Sequence, residues 1–337
     1  MKQYKGMMIK NKRLLGLILL SALLSISCTR DKLSEVSAVE QNKVLRSHTD
    51  LDQWIKETLT LPYGIEVVYH WDRNAAEVGS YTYPPKEDKV REVLETAKRL
   101  WIDLYSQDTF GGSKYLFGKA PIKLYLYGGK NIDFYGFEHL ANRAATGTEM
   151  HLYNVNDFDA KDETKVYALM RSVHHQFAHR LSELFPYDRD VFLSISSHRY
   201  HYSTADYLAK VQTTIKNRND IWKISKYANR YGCITLNALL SAPDDFAEMV
   251  SVSLLHTPRE LKQALKNANT PPPGYDEEEK QKVMEEAKQA HKELAEKLEF
   301  VRNYYSKNLG VNLVQMQRSA HKLMKLYTSK EEKEKES

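Results

Sequence analysis

The sequence predicts an α+β domain, and three observations predict it. Short runs alternate apolar and polar residues with the period of a strand, at 65–70, 122–127 and 148–153. Longer runs repeat apolar residues at helical spacing, over 90–104 and 162–184. The second of these helices follows directly on the third strand and carries two histidines one turn apart, His175 and His179.

Taken in order, the chain opens with a secretion signal. Lys10 to Arg13 form a basic stretch, Leu14 to Leu24 an apolar run too short to span a bilayer comfortably, and Ser25 to Cys28 a cleavage region. A small residue directly before Cys28 predicts a lipid attachment at that cysteine, although Ser25 stands where such boxes usually have Leu. Met7 or Met8 are alternative starts. Residues 28–48 are polar, lack periodicity and read as a flexible tether. Residues 49–270 read as one domain, 271–327 as a helical extension packed on it, and 328–337 as a disordered charged tail.

Within the domain, Asp50 to Leu59 predicts a short amphipathic helix and Ile65 to Tyr69 a strand. Pro84 and Pro85 break the chain. Val90, Val93, Leu94, Ala97, Leu100, Trp101 and Leu104 then recur as one helical face. Ile122 to Tyr127 is a strand ending at Gly128-Gly129, and residues 130–147 read as loop with a short helix. Thr148 to Tyr153 is the third strand. The histidine helix starts near Asp162 and ends before Pro186. Helices are expected near 204–217 and 220–229. Asp244, a candidate N-cap, opens a helix through Ser251. Glu277 to Tyr305 and Leu313 to Tyr327 close the chain as helices.

Composition excludes some classes of function. The chain has 337 residues with 49 Lys and Arg against 44 Asp and Glu, and residues 1–27 hold five of those bases and no acid. The remainder is balanced, so no basic surface argues for nucleic acid. Two cysteines, one of them Cys28, exclude a disulfide scaffold and leave Cys233 as a small buried hydrophobe.

The chemistry rests on His175 and His179. Side chains at i and i+4 share one helical face, so both imidazoles reach one metal ion. Zinc hydrolases place Glu between two such histidines as general base. Here that position is Gln176, whose carboxamide cannot exchange a proton near neutral pH. A zinc site needs a third protein ligand. Glu248 is the candidate, because a carboxylate beside Phe246, Ala247 and Val250 on an apolar face is costly without a partner. His174 points about 100° away from His175 and reads as core. His198 and His201 read as solvated loop histidines, and Glu183 as a distant substitute base.

Several segments together resemble a known family. They are Tyr63–Tyr69, Glu149–Asn156, His174–His179, Gly232–Thr235, Asp245–Ser251 and Tyr304–Leu313. The resemblance is to the zinc-binding metallopeptidase lipoproteins found beside TonB-dependent nutrient importers of Gram-negative bacteria. It implies a zincin-like metallopeptidase domain with a mixed sheet, a metal-binding helix and C-terminal helices. It implies Zn²⁺ as cofactor, held by His175, His179 and Glu248, and a peptide or protein as substrate. It also implies outer-membrane import components as partners and a lipid anchor in the outer membrane. The chain departs from the family at Gln176 and at Asn237, where the family tends to carry a transition-state-contacting Tyr. Two readings follow. One is a metallopeptidase whose hydrolysis survives through another base. The other is a metal-binding relative, impaired or inactive at Gln176, that serves as a peptide-binding accessory. On either reading the strand at 148–153 is the edge expected to pair with an extended peptide.

Overall fold

Three parallel strands lie side by side in the order β1 (Glu66–Val68), β2 (Lys123–Leu126), β5 (Glu149–Leu152). Their register aligns Val67 with Leu124 and Leu124 with Met150. The structure is a computed structural model and describes residues 49–70, 82–133, 136–141, 147–200, 221–274 and 276–329. The α+β expectation holds, but the sheet is parallel rather than mixed among the described residues. Antiparallel pairing occurs apart from it, in a hairpin of β3 (Asn131–Ile132) and β4 (Glu138–His139). No helix occurs among the described residues of 130–147, where a short one is expected; residues 134–135 and 142–146 lie outside the described residues. Asp133 holds the hairpin's turn by accepting from the Phe137 N–H and the His139 ring.

Before the sheet, α1 (Asp50–Ile55) runs on through a π-helical turn at Lys56–Thr60. Between β1 and β2, α2 (Glu87–Ala97) continues through a second π-helical turn, Lys98–Ile102. Its buried Val90, Val93 and Leu94 are the periodic face read from the sequence.

The central helix is α3 (Glu163–Leu184). Asp162 caps it, its side chain accepting from the Thr164 and Lys165 N–H groups, and the chain leaves it at Phe185 and Pro186. Val166, Leu169, Met170, Val173, Phe177 and Leu181 are buried along one stripe, while Leu184 is exposed. Trp101 and Tyr105 meet Phe177 edge-on, with ring centroids 5.2 and 5.0 Å away. The short helix α4 (Arg189–Ser196) follows. The helix expected at 204–217 lies outside the described residues, and the one expected at 220–229 is the shorter α5 (Lys226–Arg230).

Helix α6 (Ala242–Leu255) packs along α3 and is buried almost throughout. Its cap is Ser241, whose hydroxyl accepts from the Asp244 N–H, so Asp244 is not the cap but a residue of the first turn. Helices α7 (Pro258–Ala268), α8 (Glu277–Asn308) and α9 (Leu313–Thr328) complete the chain. Val301, Tyr304, Tyr305 and Met316 enter the same core as the strands. Tyr187, Phe192, Phe246, Phe300 and Tyr304 form an aromatic cluster that ties α8 to α4 and α6. Beside it, fully buried Lys297 of α8 meets fully buried Asp245 of α6 at 2.6 Å.

Candidate metal centre

His175 and His179 project from α3 toward the first turn of α6. Their Nε2 atoms lie 3.3 Å apart. Two ligands of a tetrahedral zinc, each about 2.0–2.1 Å from the ion, stand about 3.3 Å apart. The pair therefore spans one edge of a metal tetrahedron. Asp244 closes the group: its Oδ1 lies 3.8 Å from His179 Nε2. One ligand atom from each of His175, His179 and Asp244 lies within 4.8 Å of the others. Two imidazoles and a carboxylate are a donor set that suits zinc.

The other oxygen of Asp244 is engaged, since Oδ2 accepts from the Ser241 hydroxyl at 2.6 Å. Capping of α6 by Ser241 is thus what turns Oδ1 toward the cleft.

Glu248, one turn further along α6, converges on the pair from behind. Its Oε1 lies 2.8 Å from His175 Nδ1, not on the Nε2 side. Its Oε2 accepts from Arg171 Nη2 at 2.6 Å and from Thr235 Oγ1 at 2.7 Å. Arg171 is fully buried and also donates to the Trp222 carbonyl, at 3.0 Å, and to the Ser251 hydroxyl. Burial opposes ionisation of Glu248, but the Arg171 charge and the His175 and Thr235 contacts outweigh it and hold its pKa at about 2. Such a carboxylate orients a metal-bound imidazole through its far nitrogen. The expectation that Glu248 is itself the third ligand meets a different geometry here. Its oxygens are occupied by Arg171, Thr235 and His175, and Asp244 occupies the open side.

His179 has the protonation state that a metal requires. Burial, and next the neighbouring His175, lower His179 to about 3, so its ring is neutral at physiological pH. His174 is buried against Tyr105, and burial and Arg171 lower it to about 3 as well, in keeping with a core residue. His198 is largely exposed beside Glu293, whereas His201 lies outside the described residues, as does Cys28.

Gln176 faces the same cleft, but its carboxamide turns to β5. Oε1 accepts from the His151 N–H at 2.8 Å, and Nε2 donates to the His151 carbonyl at 2.9 Å. Glu183, the possible substitute base, accepts from the Gly147 N–H at 2.9 Å. A Cβ on Gly147 would fall 2.3 Å from that carboxylate, which would have to shift to make room. Asn237 lines the cleft from a short turn whose N–H bonds to the Ile221 carbonyl. The cleft has a volume of about 330 Å³.

Sequence reasoning missed Asp244 and Arg171. The signal for Asp244 was present: it stands four residues before Glu248, the same spacing as the two histidines. Reading it as a cap concealed it. A buried arginine within a histidine helix carries no comparable signal.

No curated protein matches the chain. A solved structure does, a "putative zinc-binding metallo-peptidase" from Bacteroides caccae ATCC 43185, at 20% identity and a TM-score of 0.56. The match covers 88% of this chain and 97% of that one, and it shows the shared fold. Residues 45–314, most of the chain, match the sequence pattern of a family described in the same words. The chain belongs to this family of putative zinc-binding metallo-peptidases.

Proposed function

We propose that this chain is a zinc-binding lipoprotein of metallopeptidase fold whose peptide-bond hydrolysis is impaired or lost. It would act at the outer membrane beside nutrient import components as a peptide-binding accessory. The observation that carries the reading is the convergence of the His175 and His179 Nε2 atoms, 3.3 Å apart, with Asp244 at their open side and an amide at residue 176. His175, His179 and Asp244 would hold the ion, and Glu248 would orient the His175 ring. When bound, zinc supplies Lewis acidity toward a peptide carbonyl and toward water.

The chain's own residues provide the rest. The neutral His179 ring binds without proton release, and the Arg171 charge keeps Glu248 ionised behind the pair. Gln176 can neither accept nor return a proton, and loss of such general acid–base help lowers rates by about 10²–10⁴-fold. Glu183 is no equivalent replacement, because it stands about 10 Å further along α3, with Oε1 held by the Gly147 N–H. Membrane attachment and import association rest on the Cys28 signal and on the family resemblance.

Two measurements test the reading. Zinc in the purified intact chain should approach one per molecule and fall in His179→Ala; a zinc-free wild type overturns the metal assignment. Peptidase activity should emerge in Gln176→Glu and be absent or at least about 100-fold lower in the wild type. A wild type that cleaves as fast as the variant would leave residue 176 without the role given to it.

A further inference from the structure

Gln176 does more than stand where a base is missing. In a strand, successive residues turn their N–H and C=O groups to opposite edges. The Leu152 carbonyl of β5 bonds to Tyr127 N–H on the β2 side, as does that of Thr148, just before the strand, to Ile122 N–H. The main-chain groups of His151 therefore point off the other edge, where an added peptide strand would bond. Gln176 takes both of them, at 2.8 and 2.9 Å. Its Nε2 also donates to Ser172 Oγ at 3.0 Å, and that hydroxyl donates onward to the Leu140 carbonyl.

This relay of Gln176, Ser172 and Leu140 lies between two cavities. The metal-site cavity, about 330 Å³, is lined by Gln176 and Glu149. The second, about 290 Å³, is lined by Ser172 and Tyr153. Both share Glu138, His139, Leu140 and Trp222. The relay thus stands where the linings of the two cavities meet.

We propose that Gln176 is a positioning and specificity residue that closes the His151 step of the β5 edge, so that peptides entering the cleft do not pair with that strand at His151. The inference rests on the peptide-binding reading above. A glutamate could not do this: one oxygen would accept from the His151 N–H, but the other would face the His151 carbonyl. That repulsion would turn the side chain out toward the histidines. The identity of residue 176 therefore selects between a strand staple and a base.

The test uses the intact chain and Gln176→Met, which keeps the volume and loses the bonds; Gln176→Leu serves if that variant does not fold. Amide exchange at His151 should be at least about 10-fold faster in the variant than in the wild type. Retention of a blocked, random octapeptide pool should rise several-fold in the variant, a change that a purely structural role would not produce. Unchanged His151 exchange, or peptide retention no higher than wild type, overturns the proposal. Zinc content of the same samples is read separately, so an absent metal and an absent staple give different results.

Discussion

Helix α6 carries two buried carboxylate–cation pairs, at Asp245 and three residues on at Glu248, and they have different uses. Asp245 meets Lys297 at 2.6 Å, with both side chains fully buried. Around them lie the Tyr200 hydroxyl, donating to Asp245 at 2.8 Å, and Cys233, whose thiol burial and then Asp245 push up to about 12. Burial opposes the Lys297 charge, but Asp245 outweighs it and raises the lysine above its ordinary range. This pair is sealed, and it joins α8 to the domain. Glu248 and Arg171 meet at the same distance, 2.6 Å, but the glutamate's other oxygen reaches His175 and through it the cleft. A buried ion pair alone therefore does not mark a functional site. What marks one is a third group that carries the charge onward to a surface.

The largest effects should come from breaking either pair. Arg171→Met and Lys297→Met each leave a carboxylate buried without its cation and should each cost about 3–5 kcal/mol in urea unfolding. Zinc affinity should separate them: it falls in Arg171→Met and stays unchanged in Lys297→Met. Equal zinc loss in both would mean that the Glu248–Arg171 pair serves the cleft no more than the Asp245–Lys297 pair does.

Next come the two carboxylates of the cleft. Glu248→Gln removes a group that orients His175 and should weaken zinc binding about 10–100-fold in chelator competition. Asp244→Asn, on the open side of the pair, should weaken it at least as much. A normal affinity in Asp244→Asn with collapse in Glu248→Gln would reverse the two roles.

The smallest effect is a dependence on pH. Burial, and next the Arg171 charge, lower His256 to about 4. The unfolded chain then binds a proton that the folded chain refuses between about pH 6.5 and 4, so this contribution is complete above 6.5 and is lost as pH falls. The slope should be about 1.4 kcal/mol per pH unit, and His256→Phe should flatten it by that amount. An unchanged slope in the variant would show that folding does not hold the His256 ring neutral.

Much of this was legible in the sequence where one element sufficed to encode it. The α3 stripe, its start near Asp162 and the His175–His179 spacing are local patterns, and all three stand where the sequence put them. The strands at 66–68, 123–126 and 149–152 were found too, but not their common direction, because direction depends on connections rather than on alternation. The partition between Asp244 and Glu248 was illegible for a related reason. Both carboxylates lie on one face, and which of them meets the Nε2 atoms depends on where α6 starts relative to α3. Gln176 showed that a base was absent, but its bonds to His151 cross 25 residues and no local pattern announces them.

The bond from Glu183 to Gly147 has one more consequence. Gln176 and Glu183 stand seven residues apart on α3, about 10 Å along its axis, and each grips the backbone at or just before β5. Helix and strand are therefore riveted at two points and form one stiff jaw. Any adjustment to the size of a guest falls to the opposing wall, the turn at Asn237–Leu239 and the start of α6, which also carries Asp244. A guest that displaces that wall would shift one corner of the metal site, coupling what is held in the groove to how tightly the ion is held.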